Sequence, residues 1–131
     1  ESYADRLRGF REAAAALGAH GIHVPQADLG RLVADGVTAV FVEESADGVA
    51  IVQAAQARGL TVPGDLSVLA LGALTRPVRS DIDFTGFRIP KREMGRRAVE
   101  LLSALLEEGG TPQELLVCEP VDGSTLASVR H

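Results

Sequence analysis

An α/β domain on a mainly parallel sheet in three layers is the fold class that the sequence predicts, and three observations carry that expectation. Two apolar runs, 37–42, rich in β-branched residues with helical spacing on both sides, and 66–71, have the pattern of strands buried on both faces. Helical and strand segments alternate, which favours parallel strands joined by right-handed crossovers. Aromatics are scarce, with no Trp, one Tyr and four Phe, so Val, Leu, Ile and Ala must supply the core.

Residues 3–17 read as the first helix, because Leu7, Phe10, Ala14 and Leu17 recur at steps of three and four and Gly18 suits its C-terminal cap. Ile22 and Val24 form a candidate short strand, stopped by Pro25. A second helix carries Leu29, Leu32 and Val33 on one face and closes at Gly36. The strand 37–42 follows. Ser45 then has the chemistry of an N-cap, and Asp47 lies in the first turn, near the positive end of the helix dipole. That helix presents Val49, Val52, Ala55 and Gln56 and ends at Gly59. The strand 66–71 is entered through Val62, Pro63, Gly64 and Asp65.

Residues 72–83 have loop character, and 84–89 read as a strand. Pro90 fits the first turn of the longest helix, where its missing N–H costs nothing. Met94, Ala98, Leu101 and Leu105 make the buried stripe of that helix, and Lys91, Arg92, Arg96 and Arg97 an exposed basic cluster. Gly109 and Gly110 end it, and 115–118 offer a last strand. The order begins with a helix whose stripe needs a sheet to cover, so an incomplete fold lacking an N-terminal part is expected.

The chain has 131 residues, 46% apolar and 24% charged, the size and balance of one globular domain. Its formal net charge of -5 opposes binding to a phosphate backbone. The single cysteine, Cys118, rules out an intramolecular disulfide and suits a reducing, cytoplasmic setting. No apolar run approaches the roughly 20 residues that span a bilayer, so no membrane partner is expected.

Four stretches, in order and in register, resemble the sensor domain of the LacI/GalR transcription repressors. Ser2, Arg6, Gly9 and Phe10 match a helix start of the form Ser-x-x-x-Arg-x-x-Gly-aromatic. Residues 38–45 end a strand where that family has Asn-Asp. Residues 59–69, read as G-L-x-V-P-x-D-L-S-V, are the most specific match. Thr85, Pro90, Met94, Gly95, Ala98, Leu101 and Leu102 match a fourth motif, followed by Gly123, Ser124 and Thr125.

The resemblance implies a periplasmic-binding-protein-like fold of type I, with two lobes and a ligand between them. Residues 1–83 would form the C-terminal lobe, 84–108 a segment of the N-terminal lobe, and 109–131 a return strand and tail. The DNA-binding head would be absent. The implied function is effector sensing, with no catalysis, cofactor or metal. A homodimer would control operator DNA through the missing head.

Ligands of open α/β sheets sit beyond the carboxyl ends of the strands, and the resemblance points to positions of that kind. Arg6 matches an effector-contacting Arg, whose planar fork suits hydroxyls and anions. Glu44 and Ser45 stand at the Asn-Asp position; Ser45 serves two readings, a helix cap and a ligand contact. Gly72 stands where the family commonly has an acid that binds sugar hydroxyls. Losing that carboxylate points to an effector less polar than a free hexose, or to an anion held by Arg6. The resemblance also places a dimer interface near 46–58 and 73–84, with Val49, Val52, Leu74, Val78 and Ile82 as its apolar residues; for Leu74, Val78 and Ile82, packing against their own domain is the other reading.

Further residues carry less. His20 and His23 lack a third metal ligand nearby. Cys118 has no partner His and reads as a small buried hydrophobe. The basic cluster reads as a solvated face, and no phosphate-cradling glycine loop follows a strand. Two rival functions stand beside the sensor: a solute-binding protein of the same fold, and an α/β enzyme, which would need convergent titratable groups that are not evident.

Overall fold

A computed structural model of the chain describes residues 2–73 and 80–129. In chain order the elements are α1 (Ser2–Ala16), α2 (Leu29–Ala34), β1 (Ala39–Glu44), α3 (Ser45–Ala57), β2 (Ser67–Ala73), β3 (Thr85–Arg88), α4 (Lys91–Glu108) and β4 (Glu119–Val121). The strands form one sheet in the order β1-β2-β3-β4. β1, β2 and β3 run parallel, and β4 returns antiparallel to β3.

The two apolar runs become the adjacent strands β1 and β2, as their composition predicts. Val42, Leu66, Val68 and Ala70 from this pair meet Ile51, Val52 and Ala55 of α3, with Leu29 of α2 at the edge of the same core. Leu66 and Val68 are its largest fully buried side chains. Helix α2 starts from Asp28, whose side chain accepts from the Arg31 N–H at 3.3 Å.

The most specific sequence motif turns out to build the entry to β2. The Asp65 carboxylate accepts from both the N–H and the Oγ1 of Thr61, each at 2.7 Å. The Asp65 N–H donates to the Thr61 carbonyl at 2.8 Å, closing the turn that sets Leu66 into the core. An Asp with a partner at both ends of a tight turn stabilises that turn locally.

Residues 123–127 form a strap along the start of β2 and β3. Thr125 is buried; its Oγ1 donates to the Val68 carbonyl at 2.5 Å and accepts from the Thr85 N–H at 3.0 Å. The Val68 N–H donates to the Thr125 carbonyl at 2.8 Å. The Gly123 N–H donates to Thr85 Oγ1 at 3.1 Å, and the Ala127 N–H to Ser67 Oγ at 3.1 Å. The strap thus occupies the ladder positions of β2 that precede its first pairing with β3, at Leu69 and Thr85.

Several expectations are corrected. Ile22 and Val24 form no strand; both are exposed, and among the described residues no strand pairs with them. The last strand is Glu119–Val121, whereas Leu115 and Val117 of the expected segment are 98% and 88% exposed. Backbone pairing with β3 decides the position of β4, and Pro120 is tolerated because β4 is an edge strand. Ser45 is the first helical residue of α3, and Glu44 takes the cap position without a side-chain cap bond.

The stripe of α4 is not buried. Met94 is 49% exposed, and no residue of the helix is classed as buried. Among the described residues, neither α1 nor α4 comes close along its backbone to another helix or strand, although Arg6 of α1 bonds to Glu43 of β1. Helix α3 covers one face of the sheet, while Phe41 and Phe87 on the strands remain about 40% exposed. Leu17, expected on the α1 stripe, is also solvent-facing.

The basic cluster resolves into separate environments. Arg96 pairs with Glu93 and Glu100, and Arg97 with Glu100 and with Glu114, the last at 2.6 Å. The hydrogen bond from Arg96 holds the Glu93 carboxyl below the usual carboxylate range, and the bonds to Glu114 and Glu100 raise the Arg97 guanidinium. The pairs at helical spacing, with Glu93 and Glu100, orient side chains more than they stabilise the fold. Lys91 is in none of them.

Candidate functional site

A cleft of about 410 Å³ opens beside the carboxyl ends of β1, β2 and β3. Its walls include Ala70, Phe84, Phe87, Ile89 and Val121, with Ser45, Gly72, Arg88 and Lys91 among the remaining lining residues. Topology explains the convergence: Ser45 opens α3 directly after β1, Gly72 lies near the end of β2, and Lys91 opens α4 shortly after β3. This is where parallel sheets leave room for a ligand, because the chain turns away from each strand into its helix.

Two of the expected site residues, Ser45 and Gly72, line this cleft. Arg6 and Glu44 are not among its lining residues. Arg6 instead reaches the end of β1, where its Nε donates to Glu43 Oε1 at 2.6 Å, both side chains being about one-third exposed. Glu43 was not singled out in the sequence, although its place next to Glu44 at the strand end is the signal that points to it. Arg88, Phe87 and Lys91 were also missed as cleft residues; Lys91 was legible only as one of four neighbouring cations.

Gly72 is required by the backbone. Val42 pairs with Ala70 but Glu44 pairs with Ala73, so Leu71 and Gly72 together oppose Glu43. Gly72 absorbs that extra residue at a φ of +79°, which L side chains rarely adopt, and a Cβ there would stand 3.0 Å from the Phe87 carbonyl oxygen. The missing acid at this position is therefore matched by a local backbone in which a side chain does not fit. Gly72→Asp is expected to cost about 1–3 kcal/mol of stability, from left-handed strain and contact with Phe87, without creating a sugar-binding carboxylate. Chemical denaturation checks it; a variant as stable as the parent would contradict this account of the bend.

The proposed interface residues fall into different settings. Val52 is 4% exposed and packs within its own core, which leaves no surface for a partner, so its place in an interface is corrected. Ile82 packs partly buried against the same core, and Val49 is half-buried. Leu74 and Val78 lie outside the described residues. Among the described residues, no group of three or more His, Cys, Asp or Glu side chains is placed to hold a metal ion. His23 stands against Tyr3, their rings 5.8 Å apart and edge-on. Cys118 is half-buried, and no described helix is long and apolar enough to cross a membrane.

The comparisons bear on this arrangement as a whole. Curated protein sequences give no significant match. Among solved structures, the chain is similar to the transcription regulator CcpA of Lactococcus lactis, with a TM-score of 0.73 at 19% identity. The similarity covers 95% of this chain and 51% of that one, so the chain spans about half the length of the protein it matches. At this identity the likeness establishes the fold. The profile of the periplasmic binding protein-like domain matches residues 1–126, nearly the full length, and the chain belongs to that family.

Proposed function

We propose that this chain is the effector-sensing part of a LacI/GalR-type transcription regulator. The observation that carries the proposal is a cleft at the carboxyl ends of parallel strands, in a periplasmic binding protein-like domain whose fold is shared with a transcription regulator. The sequence motifs in register over the same span support it. In this reading, residues 1–83 belong to the C-terminal lobe, 84–108 to the N-terminal lobe, and 109–131 return across the hinge.

A small molecule in the cleft touches Ser45 and the backbone at Gly72, while Arg6 and Glu44 act at the same strand end. Binding favours one lobe arrangement over another and so changes how two DNA-reading heads of a cytoplasmic homodimer are presented. The chain itself performs no chemistry on the effector. Its net charge of -5 agrees with DNA contact being made by a separate head.

The test uses the intact gene product. Selection from a random DNA pool is expected to enrich a sequence with two-fold symmetry, and light scattering to give a dimer. Binding of small solutes without enrichment of any DNA sequence would overturn the regulator reading in favour of a solute-binding protein of the same fold.

A further inference from the structure

We propose that the cleft takes a small organic carboxylate with an apolar or aromatic body, its charge held by Lys91; this rests on the sensor reading above. The cleft, at about 410 Å³, is within the size range of small-molecule sites. Among the described residues lining it there is no Asp or Glu, whereas Arg88 and Lys91 are both present. This local sign is opposite to that of the chain, which carries a net charge of -5. It therefore does not reflect a generally basic surface.

Of the two cations among the described residues that line the cleft, one has an acidic partner, as does Arg6 nearby. Arg6 is bound to Glu43 at 2.6 Å, and Arg88 faces Glu119 at 3.7 Å. Lys91 makes no ion pair among the described residues, so its ammonium is the donor available to an incoming anion. Ser45 adds one hydroxyl. An ammonium and a hydroxyl give a carboxylate charge-assisted and neutral hydrogen bonds.

A neutral polyol fares worse. Its several hydroxyls need acceptors as well as donors, and Gly72 excludes the acidic side chain that would accept from them. Phe84, Phe87, Ile89 and Val121 would leave those hydroxyls unpaired, a penalty that apolar walls impose on any polar group they desolvate. The same walls suit a hydrocarbon or aromatic body, with Phe87 still partly exposed for a ring to cover.

The test is calorimetry and thermal shift on the intact protein with four probes: 3-phenylpropionate, 3-phenylpropionamide, glucose and glucose 6-phosphate. The acid is expected to bind about tenfold or more tightly than its neutral amide. Lys91→Gln is expected to abolish that preference and Lys91→Arg to keep it, while the exposed position leaves the melting of both unliganded variants unchanged. Equal binding of acid and amide, an intact preference in Lys91→Gln, binding of glucose 6-phosphate in place of the acid, or no binding by any probe overturns the proposal. Binding of glucose alone overturns the carboxylate class and leaves the sensor reading standing. Failure of that reading shows separately, as absence of DNA selection.

Discussion

Gly86→Ala is expected to lower the stability by about 3 kcal/mol or more, seen as a fall in unfolding midpoint on the order of 10 °C. Gly86 is buried in the middle of β3 and pairs with Ala70 of β2. A Cβ built on its backbone would stand 1.7 Å from the Ala70 carbonyl oxygen and 2.8 Å from the Ala70 carbonyl carbon. No side-chain rotation relieves this, because both the methyl and its obstacle belong to the strands. The remaining response is to push β3 away from β2, which breaks the pairing that holds β3 and β4 to the sheet. An Ala variant melting within a few degrees of the parent would show that the two strands are not held this closely.

Thr125→Val has the second-largest expected effect, about 2–4 kcal/mol, as the sum of a buried and a part-buried backbone group losing partners. The substitution preserves volume and removes only the hydroxyl. That hydroxyl serves the Val68 carbonyl and the Thr85 N–H together, at 2.5 and 3.0 Å. Valine leaves both groups desolvated inside a site that is 3% exposed. Thr125→Ser keeps the oxygen and is expected to retain most of the stability, so the pair of variants separates hydrogen bonding from packing. Urea denaturation of the two proteins reads the difference directly, and equal losses in both would assign Thr125 a packing role instead.

Much of the architecture was legible because the core strands advertise themselves. Residues 37–42 and 66–71 are apolar on both faces, and the helical spacing on either side of the first leaves little choice but a parallel pair. What failed was whatever depends on distant partners. The strand near 115–118 was placed by its apolar residues, but β4 starts four residues later, at Glu119, where the backbone meets β3. The stripe of α4 is correctly periodic, yet periodicity says only which face is apolar, and no described element covers that face.

The candidate site divides in the same way. Ser45 and Gly72 were named from the resemblance at strand ends that the pattern locates, and both line the cleft. Glu43 was missed because which of two adjacent acids meets Arg6 depends on where α1 lies against the strand end, which no local signal encodes. Lys91 was hidden for a different reason: four cations in seven residues look alike until it is known that acids pair with Arg96 and Arg97 and that, of the other two, Lys91 lines the cleft.

The strap at residues 123–127 also sets an order of events. Val68 has its partner Thr125 57 residues downstream, while its neighbour strand β1 lies shortly before it. During synthesis, β1, α3 and β2 can therefore assemble early from contacts close in sequence. The open side of β2 must wait until the strap has left the ribosome. Closing such a long loop carries an entropic cost that the local contacts do not, and slow folding is the usual result. In that interval Val68 and Leu69 form an unprotected strand edge, the kind of surface on which nascent chains associate wrongly with one another.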